Sequence, residues 1–444
     1  MMDSNALNHD VIQAAGIDQE EIAALFQKWT DRSTQDVDYS NLSPAPYVAL
    51  NDPVRMIAQS LGEQAIRDGR VAAFTVAGGQ GTRLGYDGPK GEFPATPVQQ
   101  KPLFQLFAEK IRAAEALYNT RIYWLIMTSL LNDAPTQQFF ASHDFFGLRE
   151  SQVRFFTQGQ MPAVDAQTGN ILMSESGQVA MSPDGHGGSL RALVRSGSVD
   201  FLRNNGVDTL SYFQVDNPLV QSIDPTFIGL HLLNKAEISS KMVRKAYSGE
   251  KVGHFCLRED GRQSVVEYSD LPHELQEKID PETGELYFIA GSIAIHLLDI
   301  DFVARVGGGV DTELALPFHF AHKKVPYTDS SGKHVVPDEP NAVKFEMFIF
   351  DALPLAKQSL IVETSREDEF SPIKNATGVD SSETSKSDQS AQARRWLEAA
   401  GEALTGLERV EVSPLFACTE EAFVERWNSL AEKPVIKEGL YIQP

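Results

Sequence analysis

The chain has 444 residues, 42% of them hydrophobic and 23% charged, which excludes a disordered or fibrous protein and predicts two or three folded units with at least one sizeable core. Its 39 Lys and Arg against 61 Asp and Glu give a formal net charge of -22, a balance that repels a nucleic-acid backbone and an anionic membrane surface. The two cysteines, Cys256 and Cys418, form no CxxC pair, which excludes a disulfide scaffold and a thiolate metal site and fits a reducing cytoplasm.

Acidic residues occur early in the chain, without an apolar run of signal-peptide length, and nowhere do about 18 apolar residues follow one another. A soluble, cytoplasmic protein is expected. Ile22, Leu25, Phe26 and Trp29 recur at helical spacing, and the stretch that follows to Pro53 is rich in Asp, Ser, Asn and Pro; residues 1–67 are predicted as a helical N-terminal arm. From Val71 short apolar runs begin: VAAFTVA (71–77), RIYWLIMTS (121–129), VRFFTQG (153–159) and TLSYFQVDN (209–217). These predict buried strands. Between them Leu103, Phe107, Ile111, Ala114 and Leu117 keep helical spacing, as do Leu190, Leu193, Val194, Phe201 and Leu202 before an Asn204-Asn205-Gly206 stop. The alternation of strand and helix predicts an α/β layered sheet in a core domain over 68–374.

Val252 to Tyr268 predicts a hairpin turning near Glu259-Asp260-Gly261, appended antiparallel to the main sheet, and PETGEL (281–286) and DSSGKHVV (329–336) offer two further polar turns. Asn375 to Gln389 is polar and nearly free of large apolar residues. It is expected to be a mobile linker over 375–390, dividing the core from a small C-terminal unit at 391–444.

The strongest chemical signal is AGGQGTRLG (77–85), placed directly after the first strand and followed by GPKG (88–91). Gly78, Gly79 and Gly81 allow a tight loop whose backbone N–H groups face phosphate oxygens, and Arg83 and Lys90 supply positive charge. The spacing is neither Walker A nor GxGxxG, since Leu84 occupies the last glycine position, so kinase and dinucleotide oxidoreductase readings lose ground. A bare glycine cluster is ordinarily only a turn. The two cations beside this one turn the reading toward phosphate. Asp216 ends a strand where α/β proteins place ligands, or caps the turn before Pro218. Alternation puts Val265 and Glu267 on one strand face.

The glycine segment resembles the nucleotide-binding loop of the eukaryotic-type UTP:sugar-1-phosphate uridylyltransferases, and within them the UDP-N-acetylglucosamine pyrophosphorylases. MTS (127–129), FFGL (145–148), FFTQG (155–159), SPDGHGG (182–188), QVDNPLV (214–220), VVEYSDL (265–271) and REDEFSPIKNA (366–376) match in the same order. The resemblance implies a Rossmann-like, GT-A-like mixed-sheet nucleotidyltransferase core, with UTP and a sugar 1-phosphate as substrates and Mg²⁺ as cofactor. By resemblance Gly78, Gly79, Gly81, Thr82, Gln158, Gly159 and Gly185 bind the nucleotide, Arg83, Lys90 and Lys374 act on phosphate, and Asp216 holds the metal. His186, Gly253, Glu267 and Ser292 meet the sugar.

Two departures bear on that sugar. The family handling N-acetylglucosamine reads NGG where this chain has His186-Gly187-Gly188, and NAGN where it has Ile289-Ala290-Gly291-Ser292. The expectation is therefore uridylyl transfer to a sugar 1-phosphate, with N-acetylglucosamine 1-phosphate first. Glucose 1-phosphate or a broad sugar range is the alternative, and a non-catalytic UDP-sugar binding protein the rival from another class.

Overall fold

The structure is a computed structural model describing residues 11–31, 39–308, 314–329 and 331–444. Parts of the predicted arm, residues 1–10 and 32–38, lie outside the described residues. Within it α1 (Gln19–Asp31) buries Ile22 and Leu25 against Val164, Val343 and Phe345 of a small antiparallel sheet. The helix α2 (Val54–Arg67) belongs to the core instead. Its Ala58, Ala65 and Ile66 join the main hydrophobic cluster. A Cβ on Gly62 would sit 1.8 Å from the Pro225 carbonyl oxygen of α6 (Pro225–Leu233), so only glycine allows so close a crossing.

The four predicted apolar strands are β1 (Val71–Val76), β2 (Trp124–Thr128), β3 (Val153–Thr157) and β4 (Thr209–Gln214), lying parallel in the order β4-β1-β2-β3. Along β1 and β2 alternate residues serve opposite faces. Ala73, Trp124 and Ile126 pack with α2 and α3 (Leu103–Tyr118), while Ala72, Phe74, Leu125 and Met127 pack with α5 (Gly188–Arg195). The helical pattern predicted through Leu202 breaks at Gly197, whose φ is 69°. The segment Ser198–Asn204 resumes as a separate short helix.

The sheet has 10 strands and is mixed, as expected of the core. β8 (Ala290–Asp299) runs antiparallel to β4 and to β5 (Ile238–Arg244), which pairs in parallel with β9 (Ser359–Glu363). The predicted hairpin is β6 (Gly253–Leu257) and β7 (Gln263–Val266), joined to the sheet through β8. Between Ser292 and His296 the β8 register shifts, with Ala294 at φ 55°.

One expectation is corrected. The polar stretch predicted as a linker over 375–390 enters α7 (Ser382–Ala399), an 18-residue helix. Ser381 accepts the Thr384 N–H, and Thr384 Oγ1 accepts that of Ser381, a reciprocal cap. The buried face begins with Ser385 and Ser390, small polar residues that leave no apolar period to read. Further on, Trp396 and Leu397 pack with Phe423 and Trp427 of α8 (Glu420–Ser429) and with the parallel pair β10 (Val410–Val412) and β11 (Leu440–Ile442) in a separate C-terminal core. Among the described residues no helix is long and apolar enough to cross a membrane.

Candidate active site

The parallel strands deliver the predicted residues to one edge, where α/β sheets place ligands outside the carboxyl ends of their strands. β1 runs into the glycine loop, β3 into Gln158 and Gly159, and β4 into Asp216. The loop is closed by its own backbone: the Gly81 N–H donates to Gly88 O at 2.8 Å, and that of Lys90 to Gly79 O at 3.1 Å. Fully buried Asn132, which the sequence reading missed, donates to Ala77 O at 3.1 Å and Gly79 O at 3.3 Å. Gly79 faces open space, whereas a Cβ on Gly78 would meet Gln158 Oε1 at 2.3 Å. Thr82 and Arg83 stand exposed on the outer rim. Arg83 forms no ion pair among the described residues.

Lys90 reaches inward, and its Nζ lies 2.9 Å from Asp216 Oδ2, with both side chains largely shielded. Beside this pair is a cavity of about 220 Å³ lined by Asp216, Lys374, His186, Gly253, Glu267 and Ser292. The phosphate-side and sugar-side predictions thus converge. Ile289 does not join them; it borders a different cavity of about 380 Å³ next to Lys245 and Tyr247. It stands just before β8, three positions from Ser292.

The glycines of SPDGHGG are required by the protein's own packing. A Cβ on Gly185, whose φ is 84°, would lie 2.4 Å from Met347 O, and one on either Gly159 or Gly188 would lie 2.2 Å from an Asp184 carboxylate oxygen. Burial there pushes the Asp184 carboxyl up to about 6. His186 Nδ1 accepts the Ile349 N–H at 3.2 Å, so its proton is on Nε2. Its ring stacks on Phe348 at 5.3 Å. Burial, with His319 nearby, holds its pKa down to about 4, so at neutral pH it is an uncharged donor. Glu267 titrates above the usual carboxylate range because of burial and the neighbouring Asp270 and Asp351, opposed by His319 and Lys374.

The segment carrying Lys374 is fastened to the loop after β4. Asn217 Nδ2 donates to Glu369 O at 2.6 Å, its Oδ1 accepts the Ser371 N–H at 3.0 Å, and the Ile373 N–H donates to Asp216 O at 2.8 Å. Beneath lies buried Lys241, paired with Glu369 and, at 2.7 Å, with Asp224. Lys110 Nζ donates to the carbonyls of Pro218 and Val220 at 2.6 and 2.7 Å. Lys110 and Lys241 carried no motif that sequence reading could catch; their role follows only from burial.

Among the described residues no three His, Cys, Asp or Glu side chains cluster as metal ligands. A single carboxylate suits a Mg²⁺ held mainly by substrate phosphates and water, not an all-protein cage.

Residues 20–393 match the protein family described as UTP--glucose-1-phosphate uridylyltransferase. The chain is 37% identical over 389 residues to the UDP-N-acetylglucosamine pyrophosphorylase of Saccharomyces cerevisiae, covering 85% of this chain and 80% of the yeast protein. It is 40% identical over 325 residues to the UDP-N-acetylhexosamine pyrophosphorylase-like protein 1 of Xenopus tropicalis, covering 72% of this chain and 63% of that protein's own length. The crystal structure of the uridine diphosphate N-acetylglucosamine pyrophosphorylase from Trypanosoma brucei, in complex with inhibitor, aligns with a TM-score of 0.82 at 26% identity, covering 100% of this chain and 94% of that one.

Proposed function

The chain belongs to the UDP-N-acetylhexosamine pyrophosphorylase group of the UTP--glucose-1-phosphate uridylyltransferase family, and from that premise we propose that it transfers a uridylyl group from UTP to a sugar 1-phosphate, releasing pyrophosphate. One observation carries the reading: the Lys90–Asp216 pair, Lys374 and the sugar-side residues His186, Glu267 and Ser292 meet around one cavity at the strand ends.

The reaction needs no general base. The sugar phosphate is largely dianionic near neutral pH, its second pKa being about 6, and its oxygen attacks the α-phosphorus while the bond to pyrophosphate breaks. The protein's task is in-line alignment and neutralisation of crowded negative charge. Lys90 and Lys374 face the phosphates, Arg83 meets the triphosphate from the rim, and the glycine loop offers backbone N–H groups. Asp216 would hold Mg²⁺, which adds positive charge at the phosphate oxygens when bound with nucleotide. With a cation held on Asp216, Lys90 Nζ would be available to phosphate. A non-catalytic UDP-sugar binding protein has use for the glycine loop but none for these cations and Asp216 together.

N-acetylglucosamine 1-phosphate is the proposed first substrate, on the kinship with the yeast and Trypanosoma brucei proteins. Selection against glucose and galactose 1-phosphates is expected to be shallow, because Ser292 stands where the family carries an amide. A site built to bond both ends of an acetamido group discriminates by about 10⁴ or more. The His186 Nε2–H remains as one donor. The test is pyrophosphate release with UTP, Mg²⁺ and the three sugar 1-phosphates. Release with each, and kcat/KM ratios below about 10⁴, support the reading; release with none overturns it, and a larger ratio overturns the shallow selection alone.

A further inference from the structure

The cavity beside Asp216 has a second lysine on its wall that no motif marks. Lys251 lines it together with Lys374, Asp216 and Gly253. Its side chain is exposed and makes no hydrogen bond or ion pair among the described residues. Lys90, by contrast, is already engaged on Asp216.

The backbone bearing Lys251 is braced on both sides. Glu250 is paired with Arg366 at 2.8 Å and accepts the Ala246 N–H at 2.8 Å, and the Val252 N–H donates to Glu250 O at 2.9 Å. From beneath, Lys245 Nζ donates to Ser248 O at 2.8 Å. Arg366 opens the segment that carries Lys374. Both lysines therefore hang from one fastened backbone frame, so that a contact by Lys251 has its side chain to order and not the chain that bears it.

Position decides which phosphate Lys251 meets. It precedes by two residues Gly253, which pairs with Ser292 and whose Cβ position lies 3.6 Å from Glu267 Oε1, while no residue of the glycine loop lines this cavity. We propose that Lys251 binds the phosphate of the sugar 1-phosphate. This rests on the transferase reading. That phosphate enters with the sugar and leaves as the sugar-side phosphate of the UDP-sugar, so the contact is made in both substrate and product. Loss of a contact of equal strength before and during reaction raises KM and leaves kcat.

Lys251→Ala and Lys251→Arg are measured by steady-state kinetics in both directions. A charge-assisted contact of this kind is worth about tenfold or more. The alanine variant is expected to raise KM about tenfold for the sugar 1-phosphate and for the UDP-sugar, with KM for UTP and pyrophosphate within about twofold and the arginine variant restoring most of the loss. The exposed side chain predicts an unchanged Tm, which separates this effect from damage to the fold. Unchanged KM for the sugar phosphate, or an equal rise for UTP, overturns the assignment while leaving the transferase intact. A wild type that releases no pyrophosphate overturns the transferase reading and this assignment with it.

Discussion

Lys90 and Asp216 meet at 2.9 Å in a shielded position, yet neither belongs to the hydrophobic core, so their pairing is affordable to lose structurally and not chemically. Lys90→Ala and Lys374→Ala are each predicted to lower kcat by about 10²–10³, the usual loss for one preorganised contact to developing charge, with the circular dichroism spectrum unchanged. Near-normal turnover in either variant removes that residue from the phosphate site. Lys90 stood out beside the glycine loop, whereas Asp216 and Lys374 were marked by the blocks that resemble the family. Lys251 was not, since a lysine in a polar loop is ordinarily only solvated. Ile289, at one of the two positions where the resembling family carries an amide, borders another cavity, a separation that a motif does not display. For Gly159, Gly185 and Gly188 the residue type was anticipated and the reason was not: protein atoms, Asp184 and Met347 among them, fill the space a Cβ would take.

At the scale of elements, the structure adds a latch that chain order hides. Asp216 and Asn217 follow β4, and Lys374 lies more than 150 positions later, yet Asn217 bridges Glu369 O and Ser371 N and fixes one to the other. Asn217→Ala is predicted to lower kcat and to be strongly non-additive with Lys374→Ala, since once the lysine is gone its positioning no longer matters. A double-mutant cycle in kcat checks this; additive losses, accompanied by a lowered Tm, make Asn217 merely structural. The apolar strands and the β6–β7 hairpin could be read from their patterns. The helix α7 could not, because its first turns bury serines, and a polar stretch with a capping box looks like a linker until its docking partners are known. Likewise α2 reads as part of an arm until the glycine crossing with α6 places it on the core.

Over the whole molecule, burial of titratable groups sets the acid response. Burial alone holds His231 down to about 4 from its ordinary 6.5. Between those values the unfolded chain binds a proton that the folded chain refuses, so this group's contribution is complete above about pH 6.5 and is lost as pH falls toward 4. Its share of the slope is up to about 1.4 kcal/mol per pH unit. Urea unfolding at pH 7, 6 and 5 is predicted to give a steeper loss for the wild type than for His231→Asn; parallel curves contradict the buried neutral state of that ring.

The net charge of -22 argues in the same direction as the site: the proposed anionic substrates would approach an anionic protein and need the few local cations, beside which a Mg²⁺ would act. The central claim is that these cations serve transfer of a uridylyl group, not binding alone. UTP labelled at the α-phosphorus, incubated with the purified protein, Mg²⁺ and N-acetylglucosamine 1-phosphate, tests it most directly. The label is predicted to appear in the UDP-sugar together with an equal amount of unlabelled pyrophosphate, and to stay in UTP when the sugar phosphate is omitted. Label that remains in UTP with the sugar phosphate present, or that emerges as UMP, contradicts the account.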